Sequence, residues 1–366
     1  MDKKQLKDCY ELWKHCFSDH DEYMNYYFEE KTIDNQVLTL YEGDKLTSML
    51  HLNPFMMKLN GLSVHANYIV GVATHSDYRK QGRMRILLHQ AFTDMYKKEQ
   101  GFTYLMPAHE KIYTPFDFRF IYAQDRMKIN CLGSEVSYQL KAAELDEDLT
   151  IDTLANLNEQ IKVKLSSYVN EKLQEQFDLF AIRSEYYYTR LQKEMVAAGG
   201  DVLVCLRKNH IIGVVSFMME GRKIEVTESV IEREETQNVI SNVLSWIRNN
   251  KDENFEVEFL ETNFIDLEQV REDLPITEEY KKPIIMARII HLETFVKSFA
   301  TKECMTKIIK VEDDMIEENQ GVWKLDFTPN GCQIAQTTEN PESSMKIYEV
   351  MEYFLKDKHV YINEIV

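Results

Sequence analysis

Asn67-Tyr68-Ile69-Val70-Gly71-Val72-Ala73-Thr74 reads as a strand, and Arg79-Lys80-Gln81-Gly82-Arg83-Met84 follows it as a glycine-containing loop. Beyond the loop, Met84, Leu87, Leu88, Ala91, Phe92, Met95 and Tyr96 recur at i, i+3, i+4, i+7, the period of an amphipathic helix. Strand, loop and helix in this order aim free backbone amides and the positive end of the helix dipole at one spot, an arrangement suited to a pyrophosphate. Gly82 lets a ligand approach the backbone closely.

Working outward, residues 5–30 read as helices with an apolar stripe through Leu6, Cys9, Leu12, Trp13, Cys16 and Phe17. A hairpin is expected from Val37–Tyr41 and Leu46–Leu52 around Glu42-Gly43-Asp44-Lys45, and another strand at Phe102–Met106. The charged stretch Lys141 to Asp152 suggests a boundary, after which the grammar recurs. A hairpin spans Val202–Arg207 and Ile211–Met219, then come a helix over Thr236–Asn249 and a strand over Glu256–Leu260. In this second copy Glu232-Arg233-Glu234-Glu235 replaces the glycine loop and offers carboxylates instead of amides, so no phosphate is expected there. A smaller unit from about Met286 reads as helix, two strands, helix and a last strand, His359–Val366.

The 366 residues carry a net charge of −18, and it is uneven. Residues 1–140 hold 17 Lys and Arg against 18 Asp and Glu, and residues 141–366 hold 26 against 43. Such a back half repels nucleic acid and favours cationic small molecules or basic groups. No apolar run approaches the ~20 residues that span a bilayer, so no membrane partner is expected and the chain reads as cytoplasmic. Cys9, Cys16, Cys131, Cys205, Cys304 and Cys332 form no Cys-x-x-Cys pair and read as reduced thiols. His65, His75, His89 and His109 lack ligand spacing, so no metal is expected.

With Val72-Ala73-Thr74 before the loop, Arg85-Ile86-Leu87-Leu88 after it and Tyr113 to Phe118 one strand later, residues 5–125 resemble the Gcn5-related N-acetyltransferase (GNAT) superfamily. The whole chain is similar to the Eis-like acetyltransferases. That likeness rests on Tyr78–Arg85, on Met286-Ala287-Arg288-Ile289-Ile290, and on Tyr361-Ile362-Asn363-Glu364-Ile365-Val366. It implies an α+β architecture of tandem GNAT folds, mixed sheets flanked by helices, followed by a smaller unit similar to sterol carrier protein. The implied domains are a catalytic one at 1–142, a degenerate second one at 143–285 and the sterol-carrier-like one at 286–366.

By the same resemblance, the cosubstrate is acetyl-CoA. Val72, Ala73 and Thr74 would pair with its pantetheine arm, and Arg79, Lys80, Gln81, Gly82, Arg83 and Met84 would cradle its pyrophosphate. Tyr113 would protonate the departing thiolate, and the carboxylate of Val366 would help to deprotonate the amine. Asp21, Glu22 and Glu364 are candidate carboxylates for a cationic amine of aminoglycoside or polyamine type. A homo-oligomer, often a hexamer, is also implied. The sequence departs from the pattern at Met84, Ala108, Asp117 and Phe118. Phe118 stands where some Eis-like enzymes have a catalytic tyrosine, and phenylalanine donates no proton. Tyr113 is therefore the preferred acid and Tyr122 the second choice. The departures keep open an alternative, a non-catalytic scaffold of the same fold that binds coenzyme A or lipid.

Overall fold

The computed structural model describes residues 2–131, 148–251 and 255–364. The expected boundary at 142/143 lies outside them, as does Val366. The chain forms two compact units, one from residues 1–122, 176–182 and 284–366, the other from 123–175 and 183–283.

The first unit opens with helices α1 (Lys3–Cys16) and α2 (Asp21–Glu30). Asp2 starts α1 by accepting a hydrogen bond from the Gln5 amide, which satisfies one of the orphan donors of a helix N-terminus. Strands β1 (Gln36–Glu42), β2 (Lys45–Leu59) and β3 (Leu62–Thr74) form an antiparallel meander. Helix α3 (Arg83–Lys97) leads to β4 (Phe102–Leu105), which runs parallel to β3. On its other edge β4 pairs antiparallel with Met286–Ile289 of the strand Ile276–Ile289, so residues far apart in sequence complete the sheet.

Helix α3 buries Leu87, Leu88, Ala91, Phe92 and Met95 against Leu50, Leu52 and Ile69 of the sheet. Burying each of the leucine, isoleucine, phenylalanine and methionine side chains contributes roughly 1.5–3 kcal/mol. The opposite face packs on α1 and α2 through Trp13, Met24, Tyr27, Phe28 and Met49. A separate four-stranded sheet has the order Gly331–Gln336, Gly321–Thr328, Met305–Glu312, Ser343–Lys346. One of its faces is filled by aromatic rings, with Phe354 lying 4.6 Å from Phe299 and 6.0 Å from Phe327.

The second unit repeats the meander–helix–strand order. Strands Asp201–Arg207, His210–Glu220 and Lys223–Ile231 pair antiparallel, and Glu256–Phe259 runs parallel to the last after helix Thr236–Asn250. Before that helix, Glu232 holds Lys172 at 2.7 Å, and Glu235 accepts two hydrogen bonds of 2.7 Å from Arg207. Glu232 and Glu235 are thus engaged with the unit's own cations.

Among the described residues, no helix is long and apolar enough to cross a membrane.

Candidate functional site

Near its end β3 breaks register with β2 between Met49 and His51, so two residues of β3 oppose one of β2. Gly71 makes this bulge with φ 60, and a Cβ there would come within 2.5 Å of Trp13 Cζ3. Glycine is required twice over, for the left-handed backbone and for the indole that closes over it. The parallel ladder between β3 and β4 consists, among the described residues, of Asn67↔Thr103 and Tyr68↔Tyr104. Past these pairs no further rung between the two strands is formed among the described residues, and Val72, Ala73 and Thr74 at the end of β3 line a cleft.

The loop after β3 turns sharply. His75 accepts from the Asp77 amide at 3.3 Å, Lys80 has φ 61 and Gly82 has φ 76 as the residue that starts α3. Left-handed residues set among right-handed ones converge successive amides into an anion-binding concavity. The space around the position a Gly82 Cβ would take is open. The first turn of α3 has no acidic residue and carries Arg83 and Arg85. Cations oppose the helix dipole there unless an anion sits between them and the amides.

These elements border a cleft of about 540 Å³. Val72, Ala73, Thr74, Arg79, Lys80, Gly82, Arg83 and Met84 all line it, which brings together eight of the nine residues expected to hold the cofactor. The ninth, Gln81, instead donates to the Asp77 carbonyl at 3.3 Å and ties the loop to itself. Arg79 donates to the Thr74 carbonyl at 3.1 Å. Arg83 donates to Thr47 Oγ1 at 2.8 Å, pairs with Glu42 and lies 4.8 Å from the Tyr78 ring centre, so it braces the loop. Arg85, Cys16 and Ile112, to which the sequence assigns no cofactor role, also line the cleft. For Arg85 a signal existed in the sequence, namely a second arginine in a helix's first turn.

Opposite the loop stands Tyr113, the last residue of α4 (Glu110–Tyr113), which is 7% exposed and borders the cleft. Burial pushes its phenol up to about 12, so it stays protonated at neutral pH. Phe118 is wholly buried in the core beside Phe92, at 6.1 Å, and makes no part of the cleft lining. Tyr122 packs 6.3 Å from Tyr361, away from that lining. Asp117 adopts φ 63, the left-handed conformation that glycine favours. Its carboxyl is pushed up by burial, against the opposing pull of Arg288.

The candidate acceptor carboxylates are dispersed. Asp21 pairs with Lys14 at 2.8 Å on the surface, and Glu22 is exposed beside it in the first turn of α2. Glu364 is buried. None of the three lines the cleft.

Behind the β3 bulge, His51 is fully buried and its Nδ1 lies 3.1 Å from the Tyr27 hydroxyl. Burial lowers its pKa to about 3. An unfolded imidazole titrates near ~6.5, so between those values the unfolded chain takes up a proton that the folded chain refuses. Stability is then present above about pH 6.5 and falls by up to about 1.4 kcal/mol per unit as pH drops toward 3. Urea unfolding at several pH values should show a flatter acid slope in His51→Asn than in the parent. Equal slopes would remove His51 as a cause of acid lability.

Residues 1–121 match the family model of an acetyltransferase (GNAT) domain. The strand, bulge, loop and helix just described lie within the matched residues, which form an acetyltransferase domain of the GNAT type; such domains use acetyl-CoA. The fold of the whole chain is Eis-like. Eis1 from Mycobacterium abscessus superposes with a TM-score of 0.65 at 11% identity, over 97% of this chain and 88% of that one. A GCN5-related N-acetyltransferase from Anabaena variabilis does so with 0.72 at 13%, and a conserved protein from Enterococcus faecalis described as a probable N-acyltransferase with 0.75 at 16%, each over the same 97% and 88%. The sequence has no match among curated proteins.

Proposed function

We propose that this acetyltransferase moves the acetyl group of acetyl-CoA directly to a primary amine of a cationic acceptor, an aminoglycoside-like, polyamine-like or lysine-like group. One observation carries the reading. One cleft is lined at once by Val72–Thr74 at the end of β3, by Lys80 and Gly82–Arg85 at the start of α3, and by the buried, hydroxyl-bearing Tyr113. Bound there, acetyl-CoA supplies the thioester. The amides of Lys80–Arg85, with the Arg79, Lys80 and Arg85 cations, would hold its diphosphate, and the open edge of Val72–Thr74 would hold its amide-bearing arm.

Tyr113 then faces the charge that develops on sulfur. With the phenol near 12 and a thiol near ~8.5, complete proton transfer is uphill by roughly 3 units, on the order of 4–5 kcal/mol. Tyr113 therefore works as a hydrogen-bond donor to the developing thiolate, with the proton following from solvent. The excess of 61 Asp and Glu over 43 Lys and Arg supports a cationic acceptor. The resemblance assigns removal of the amine proton to the Val366 carboxylate. An unassisted carboxylate near ~3.5 needs a water relay for that task.

The test is release of free thiol from acetyl-CoA with a panel of aminoglycosides, polyamines and lysine peptides. Turnover is expected with a multi-amine compound, and Tyr113→Phe should lower kcat about 100-fold. Deleting residues 364–366 should spare acetyl-CoA binding and remove transfer. Silence across the panel despite acetyl-CoA binding would sink the cationic-amine assignment.

A further inference from the structure

We propose that Arg85, Arg119 and Arg288 form a clamp that positions Tyr113, each reaching from the tyrosine turn to the segment 313–348. The proposal rests on the role given to Tyr113 above.

After Tyr113 the chain makes a tight turn, Thr114–Phe116, into β5 (Arg119–Asn130). Its carbonyls are held by arginines. Arg119 Nη1 donates to the carbonyls of Thr114 at 3.2 Å and Phe118 at 2.8 Å, and Arg288 Nη1 donates to that of Phe116 at 3.0 Å. The Arg85 guanidinium lies 4.8 Å from the centre of the Phe116 ring.

The far side of each arginine is set by the last quarter of the chain. Arg288 Nη2 meets both carboxylate oxygens of Asp313 at 2.8 Å. The Arg119 guanidinium stacks 3.7 Å from the centre of the Tyr348 ring, and Arg85 Nη1 lies 3.5 Å from Met315 Sδ.

Adhesion alone is a poor account of this arrangement. Arg288 and Asp313 are wholly buried, and desolvation makes such a pair no better for stability than apolar side chains of similar volume. What charge-paired arginines provide, and hydrocarbon does not, is directional fixing of backbone carbonyls. Two fixed carbonyls on the turn and a third just beyond it at Phe118 leave the tyrosine at its start little freedom, and a hydrogen-bond donor must sit within about half an ångström of its productive place. The segment 313–348 is thus part of the frame of the active site, independently of the chain terminus.

A double-mutant cycle on the full-length protein tests this. Arg119→Lys and Tyr348→Leu change half-buried positions and leave the Arg288–Asp313 pair intact, so folding should survive; thermal unfolding checks that it does. Each should lower kcat for thiol release about tenfold, with the acetyl-CoA dissociation constant unchanged, because misplacement of a reacting group by a fraction of an ångström costs this much. In a Tyr113→Phe background the same substitutions should cause no further loss. An equal loss in both backgrounds, or no loss in either, would overturn the clamp while leaving Tyr113 as donor. If Tyr113→Phe alone leaves kcat unchanged, the donor role falls and the clamp falls with it.

Discussion

Asp313→Ala is expected to lower the free energy of unfolding by about 3–5 kcal/mol, the cost of stranding a buried charge. Arg288 is fully enclosed, and its Nη2 would lose both carboxylate contacts at once. Asp313 also accepts from the amides of Met315 and Ile316, at 2.9 and 3.1 Å, and from Asn319 Nδ2 at 2.9 Å. Asn319 in turn donates to the Ile290 carbonyl and receives the Leu292 amide and, through its own carbonyl, the Trp323 indole. One carboxylate therefore organises the turn that joins two strands of the C-terminal segment to the strand beside β4. Urea unfolding measures the loss. A change below about 1 kcal/mol would mean that the Arg288 charge finds another partner, and Asp117, 4.0 Å from Nη1, is the group to examine.

Much of this architecture could be read from the sequence, and the places where it could not share a physical cause. The α3 period and the hairpins of both units are local patterns, and, β2 apart, the structure has them within a few residues of the expected ends. Strand β2 runs seven residues beyond its expected end at Leu52 and passes through Pro54. In the sheet Pro54 falls between the end of β1 pairing at Leu52 and the start of pairing to Leu179–Ala181 at Met57, where a missing donor costs little. The strand Ile276–Ile289 begins in a charged run, Thr277–Lys282, with no apolar alternation to announce it. Only its far end is buried, and its partner in β4 is about 180 residues away in sequence. The loop of the candidate site was legible because handedness and dipole act within a few residues. The arginine frame was not, since Arg85, Arg119 and Arg288 look like isolated cations until the fold brings Asp313, Met315 and Tyr348 to them. Asp21 and Glu22 show the converse. Acidic residues in a helix's first turn are already accounted for by the dipole, so their presence in the sequence says little about a ligand.

Gly82→Asp is expected to weaken acetyl-CoA binding about 100-fold, while Gly82→Asn weakens it less than about fivefold; at an effective dielectric near 20, two like charges ~4 Å apart repel by roughly 4 kcal/mol before salt screening. The comparison isolates charge. Asn and Asp are nearly the same size, and both tolerate the left-handed conformation that Gly82 adopts at φ 76. Neither meets a neighbouring atom on adding a Cβ, because the space at this position is open. The added carboxylate would stand on the lining of the cleft, among the amides at the start of α3 and beside Lys80 and Arg85. Part of the repulsion is offset because those same cations also attract the new carboxylate, which is why the expected loss is smaller than the Coulomb figure. Calorimetric titration with acetyl-CoA measures both variants, and the gap between them should narrow as ionic strength rises. Equal affinities for the two at low salt would place the diphosphate away from this turn.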